Sequence, residues 1–368
     1  MRTNPGNLRF HGAIRSEQGS QRFNLRLLMR VLAVGLGINL IGVGHLWLAV
    51  RSVLSAADLQ VLLQWIGVLL LILIPASGIY SLVTEFAFWE GWLEGLPEPE
   101  QLLRDPTGAS AKHRCYLVYL DGIHQLERDH PPRVSAFLEL LEQRLAADTL
   151  LVRGLETYTV LPVPLAEDAG SAWFWRRLFA LQEQHRNRWL ELLAAVLVQA
   201  NNVIKVGISS DRRYGPILNY ELALKITLRL AEAGFRRDAG SRIVLVGYSG
   251  GAEMSMGVAD YLRRISRAPV SIVSFCGVFS GNQVLSDLAG ITTIVGGRDP
   301  VAAFGRIAYP GRSPLLPLSN WNQALASGWI RRLEIPGMNH NGASGPFSER
   351  YRGPVIEAIL AAMQPAAS

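Results

Sequence analysis

Two stretches of this chain carry no charged side chain. Residues 31–50 are twenty in a row, polar only at Asn39 and His45, and residues 61–83 are interrupted chiefly by Gln64. Each meets the roughly 20 residues that an α-helix needs to cross the hydrocarbon core of a bilayer. Only residues 51–60 separate them, a length that closes an antiparallel helix pair. Pro75 lies inside the second run, which a spanning helix tolerates where neighbours satisfy the freed carbonyl. Trp47, Trp65, Tyr80, Phe86, Phe88, Trp89 and Trp92 gather towards the run ends, as interfacial aromatics do. The expectation is a transmembrane hairpin with an interfacial aromatic segment over residues 31–95. Two buried helices of a soluble domain are one alternative. A cleaved signal peptide is the other, although its apolar stretch is usually only about 7–15 residues.

The charge pattern gives the hairpin a direction. Residues 1–30 hold Arg2, Arg9, Arg15, Arg22, Arg26 and Arg30 against Glu17, a net of +5 out of the chain's +6. A nucleic-acid-binding domain would carry basic stripes along its folded part, so nucleic acid is not an expected partner. The positive-inside bias instead places the tail in the cytoplasm, and two crossings return residues 114–368 to that side. The chain's 18% charged residues and mean hydropathy of +0.19 then average a hairpin with an ordinary domain. Cys115 and Cys276 are the only cysteines, too few for a disulfide scaffold or a zinc site of the C-x-x-C kind.

Residues 96–113, with Pro97, Pro99 and Pro106, read as a linker. From residue 114 short β-rich runs alternate with helical patterns. The expected strands are 115–120, 150–160, 203–208, 242–246, 270–275, 291–295 and 330–335. The expected helices are 132–147, 172–200, 219–235, 251–264 and 355–363. Short apolar runs alternating with helices predict an α/β domain whose parallel sheet is covered on both faces.

The chemistry centres on Gly247-Tyr248-Ser249-Gly250-Gly251-Ala252. A β-branched run leads straight into it, and a helix with Met254, Val258, Leu262 and Ile265 on one stripe follows. Strand, sharp turn and helix are the setting a nucleophile elbow requires. The helix N-terminus aims N–H groups at whatever sits on the serine, which favours an oxyanion. A serine nucleophile needs a base, and the base an orienting carboxylate. Asp299 follows the strand at 291–295, and His340 follows the strand at 330–335, both at carboxyl ends where open α/β sheets place their sites. Asp287 is the rival acid, in what reads as a short helix, and His124 the rival base, in the loop after the first strand.

Residues 114–368 resemble the α/β-hydrolase superfamily, in which the chain order is nucleophile, acid, histidine. The Gly247–Ala252 hexapeptide is similar to elbows of some lipases and cutinase-like esterases. With two N-terminal membrane segments, the arrangement resembles a bacterial membrane-anchored branch of that superfamily, which implies placement in a bacterial inner membrane. The resemblance implies Ser249 as nucleophile, His340 as general base and then acid, and Asp299 as its orienter. It also implies that Gly250 and either Ile123 or Gly122 supply the oxyanion N–H groups, with Asp121 fixing the loop; a plain Asp-Gly turn is the other reading of that loop. The sheet departs from the family pattern, because the hairpin and linker leave no room for the two leading strands, so a sheet shortened at its N-terminal edge is expected.

Ala172-Trp173-Phe174-Trp175-Arg176-Arg177-Leu178-Phe179 reads as a lid, a bilayer-resting helix, or a helix covering the sheet. Asp211-Arg212-Arg213-Tyr214-Gly215 either reaches an anionic group or is a solvated loop. No metal spacing and no phosphate loop occurs, so neither metal nor cofactor is expected. The expectation is a membrane-anchored serine hydrolase of an ester or thioester, with a small-molecule or lipid acyl substrate. An acyltransferase using the same triad and a non-catalytic scaffold of the same fold remain open, since fold alone does not establish function.

Overall fold

The sequence CYLVYL at Cys115–Leu120 forms a strand, β1, whose six residues are all buried. β-branched and aromatic side chains suit a pleated surface packed on both sides. Alternate residues of β1 enter two different cores, Tyr116, Val118 and Leu120 on one face and Cys115, Leu117 and Tyr119 on the other. The protein is seen in a computed structural model that describes residues 111–123, 125, 130–158, 188–211, 215–237, 240–283 and 287–364, with Gln60, Val61, Gln64, Gly67, Val68 and Leu103 ahead of them.

The elements after β1 run α1 (Pro132–Arg144), β2 (Thr149–Val152), α2 (Arg188–Ser209), α3 (Gly215–Glu232), β3 (Arg242–Tyr248) and α4 (Gly251–Ser266). They continue with β4 (Val270–Phe275), β5 (Gly290–Gly296), α5 (Pro300–Ala308), α6 (Asn320–Ala326), β6 (Ile330–Ile335) and α7 (Arg352–Met363). The six strands form one parallel sheet in the order β2-β1-β3-β4-β5-β6. One face is covered by α3, through Leu218, Leu222, Ile226 and Leu230, and by α4, through Met254, Val258, Leu262 and Ile265. The other is covered by α1, through Val134, Phe137, Leu138 and Leu141, and by α7, through Val355, Ile356 and Ile359.

From β1 the chain moves outward to β2, then returns past β1 to β3. The order therefore reverses between β1 and β3, and the loops leaving their carboxyl ends diverge to open a crevice. Residues 121–123 leave β1 there, and Ser249 leaves β3.

Two expected strands differ. The strand expected over 150–160 ends at Val152, because Gly154 turns the chain at a φ of 71°. Residues 203–208 are helical, as the last part of α2. A short apolar run does not distinguish a strand from a buried helix, and here Asn202, Val206 and Ser209, at helical spacing, are all buried. Helices α5 and α6 were not among the expected elements, although each has a start signal. Asp299 caps α5 with Pro300 in its first turn, and the Ser319 hydroxyl accepts from Asn322 N–H at the start of α6.

The tail at 1–30, the run at 31–50, most of the run at 61–83, the Trp-rich segment at 172–179 and most of the linker lie outside the described residues. Gln60, Val61, Gln64, Gly67 and Val68 are helical. Among the described residues no helix is long and apolar enough to cross a membrane.

Candidate active site

Ser249 sits in the turn between β3 and α4 with a φ of 51°, one of three non-glycine residues at positive φ among those described. Such a backbone persists only where its surroundings hold it. Here Ser249 N–H donates to Phe275 O at 3.3 Å, and its carbonyl accepts from Val278 N–H at 2.9 Å. The flanking glycines permit the turn. A Cβ on Gly247 would lie 2.6 Å from Gly251 O, and one on Gly251 would lie 2.5 Å from Asp121 O. Strand and helix thus approach too closely for any side chain at either place.

His340 reaches this serine from 91 residues away, with Nε2 3.0 Å from Ser249 Oγ. Its Nδ1 lies 3.0 and 3.1 Å from the two Asp299 oxygens. All three residues are buried, with Ser249 8% exposed and the other two 6%. Asp299 Oδ1 also accepts from Val301 and Ala302 N–H at 3.0 and 2.9 Å, so the cap of α5 fixes the carboxylate. Burial alone would raise the Asp299 pKa, but the hydrogen bond and charge of His340, with help from Ala302 N–H and Cys276, leave it below the usual value. Such a carboxylate stays ionised and selects the tautomer that carries its proton on His340 Nδ1, leaving Nε2 to accept from the serine. Tyr248, whose phenol burial holds protonated, donates to His340 O at 3.0 Å and also contacts Asn341 Oδ1, which ties the histidine loop to β3.

The sequence had two rivals for these roles. Asp287 is half exposed and pairs with Arg263 at 3.0 Å, away from the histidine. His124 lies outside the described residues.

The loop after β1 closes the crevice, and a Cβ on Gly122 would lie 3.2 Å from Ser249 Cβ. Of its two expected oxyanion donors, Gly122 is already committed, since its N–H donates to Asp121 Oδ1 at 2.8 Å. Among the described residues, the N–H groups of Ile123 and Gly250 make no hydrogen bond. Asp121 is the hub of this loop. Its Oδ1 also accepts from Tyr119 OH at 3.0 Å, and its Oδ2 lies 2.8 Å from His130 Nδ1. Gly154 N–H donates to His130 Nε2 at 3.3 Å, which puts the imidazole proton on Nδ1, facing Asp121. Asn202 Nδ2 donates to Ile123 O at 2.8 Å, and Tyr158 OH to Asp121 O at 3.1 Å.

No protein-family model matches the chain, and no curated protein matches it in sequence.

Cys276, Asp299 and His340 are the one trio among the described residues whose donor atoms approach as a metal set would, within 4.8 Å of one another. Asp299 and His340 are already spent on each other. Burial, and then the Asp299 charge, push the Cys276 thiol pKa up, so it keeps its proton and donates a hydrogen bond to Asn339 O at 3.8 Å. A metal would require that thiol as a thiolate.

Sequence reasoning missed His130, Cys276 and Glu253. His130 and Cys276 carry no local signal, since their roles depend on contacts distant in the chain. Glu253 had one: an acid on the first turn of α4, in line with apolar neighbours. It is fully buried and accepts from Gln283 Nε2 at 2.6 Å, from Ser280 Oγ at 3.1 Å and from Ser280 N–H. Burial raises its pKa to about 7 despite those donors and the charge of Arg312.

Proposed function

We propose that this chain is a membrane-anchored serine hydrolase that cleaves a carboxylic ester or thioester through an acyl-enzyme. The observation that carries the reading is the unbroken contact from Ser249 Oγ to His340 Nε2 and from His340 Nδ1 to Asp299, with the serine on a positive-φ elbow. The similarity of the Gly247–Ala252 hexapeptide to lipase and cutinase-like elbows supports an acyl substrate. The two charge-free runs support a membrane anchor, with the catalytic domain on the cytoplasmic side and a lipid-like substrate within reach.

In this mechanism Ser249 Oγ attacks the carbonyl carbon as its proton passes to His340 Nε2. Asp299 holds the ring and stabilises the imidazolium. The carbonyl oxygen gains negative charge and takes the N–H groups of Gly250, at the positive end of α4, and of Ile123, in the loop after β1. Collapse breaks the acyl–oxygen or acyl–sulfur bond, and His340 returns its proton to the leaving group. Water then attacks the acyl-serine with the same proton relay in reverse order.

A fluorophosphonate probe, which reacts only with an activated serine, tests the reading on membranes holding the full chain. Wild type is expected to label and Ser249→Ala to remain blank. An unlabelled wild type, or equal labelling of the alanine variant, would sink the proposal.

A further inference from the structure

The strand that delivers Ser249 ends one residue earlier, in Tyr248. Alternation along β3 puts this side chain on the face it shares with Val244 and Val246, in the core beneath α1 and α7. Two neighbours there fix its plane. The ring stacks with Phe275 at 5.2 Å between centroids and meets Phe347 edge-on at 4.7 Å, both favoured aromatic arrangements.

Two separate parts of the site lean on this ring. The His340 imidazole stacks with it, the centroids 5.6 Å apart and the planes at 28°. The loop after β1 reaches its edge, where a Cβ on Gly122 would lie 2.9 Å from Tyr248 Cδ1 and 3.1 Å from Cε1. Gly122 is not among the glycines at positive φ, so close packing against Tyr248 and Ser249 accounts for the missing side chain. Ile123, the next residue, carries the N–H group proposed for the oxyanion.

The phenol oxygen adds a third contact. Its donation to His340 O at 3.0 Å and its contact with Asn341 Oδ1 follow directly on the bond from the Cys276 thiol to Asn339 O at 3.8 Å. Three successive residues of the histidine loop are therefore gripped from the ends of β3 and β4. Burial, and then Cys276, Asp121 and Asp299, hold the Tyr248 pKa well above its ordinary value, so the hydroxyl retains the proton it donates.

We infer that Tyr248 is a positioning residue for both halves of the site: its hydroxyl fixes the main chain of His340, and its ring seats the imidazole and the loop that carries Ile123 N–H. The role rests on the serine chemistry proposed for this chain.

The test uses the full chain in proteoliposomes, a short p-nitrophenyl ester as substrate, and fluorophosphonate labelling to count active serines. Per active serine, Tyr248→Phe should lower kcat about tenfold with KM unchanged, because it removes the hydroxyl and keeps the ring. Tyr248→Leu should lose about a hundredfold, the scale of a 1 Å misplacement. A ring that only filled the core would give variants with a smaller labelled fraction and lower thermal stability but the wild-type kcat per active serine. That result, in Tyr248→Phe alone, overturns the inference. Gly122→Ala supplies a second measurement. It should slow the wild type more than it slows Tyr248→Leu, where the ring it would strike is gone; equal slowing in both backgrounds overturns the ring's part. A wild type that neither labels nor turns over removes the serine reading together with this role, whereas an active wild type with unaffected variants removes the role alone.

Discussion

At the scale of single residues, two histidine–aspartate pairs differ in what they touch. In the proposed mechanism His340, which contacts Ser249, and its partner Asp299 form the proton path, and His130 and Asp121 brace the loop that carries the proposed donor Ile123 N–H. Because Asp121 takes Gly122 N–H for itself, the donor facing the crevice depends on where that carboxylate is held. His130→Ala should therefore lower kcat roughly tenfold for a short soluble ester, less than the ~10²–10³ lost with an oxyanion donor outright. KM should change little, and His130→Asn should recover part of the rate. Steady-state kinetics on the three proteins check this, and a rise in KM with kcat unchanged would contradict it. The serine itself was legible in the sequence, because an elbow is local. His130 was not, because what it does is set by Asp121 and Gly154.

Among elements, α4 approaches the end of β1 and the loop after it closely beneath the elbow. Gly251→Ala would press a Cβ to within 2.5 Å of Asp121 O. Backbone cannot yield as a flexible side chain can, so a loss of about 1–3 kcal/mol is expected. Thermal unfolding would show it, together with weaker fluorophosphonate labelling as residues 121–123 shift. Glu253 joins α4 to the loop after β4 and makes that joint sensitive to pH. The ordinary value for its carboxyl is 4.5, and burial in the fold raises it to about 7. Between those values the folded state holds a proton that the unfolded chain has released. Stability then falls as pH rises through that window, by on the order of 3 kcal/mol at about 1.4 kcal/mol per unit. Glu253→Gln should flatten this decline when unfolding of the full chain in nanodiscs is followed from acid to neutral pH. An unchanged slope would assign the effect to other groups. Element type was less legible than element position: residues 203–208 read as a strand but complete α2, where Val206 packs near Gly250 and Asn202 holds Ile123.

For the whole molecule, the expected arrangement is a basic cytoplasmic tail, a hairpin and a catalytic domain returned to the tail's side. In inverted inner-membrane vesicles an added protease should degrade residues 114–368, and in right-side-out vesicles it should spare them. The opposite pattern would reverse the topology. Local sequence was enough to reveal the charge-free runs, the strand–turn–helix around Ser249, and the placing of Asp299 and His340 after later strands. Each of these is a property of neighbouring residues, fixed by periodicity, turn chemistry and charge count. Long-range packing was needed to reverse the sheet order between β1 and β3, which sets residues 121–123 over the serine. The same packing makes Asp121 consume Gly122 N–H. Those outcomes depend on which distant segments meet, and that is settled by packing two cores against one sheet rather than by any local preference.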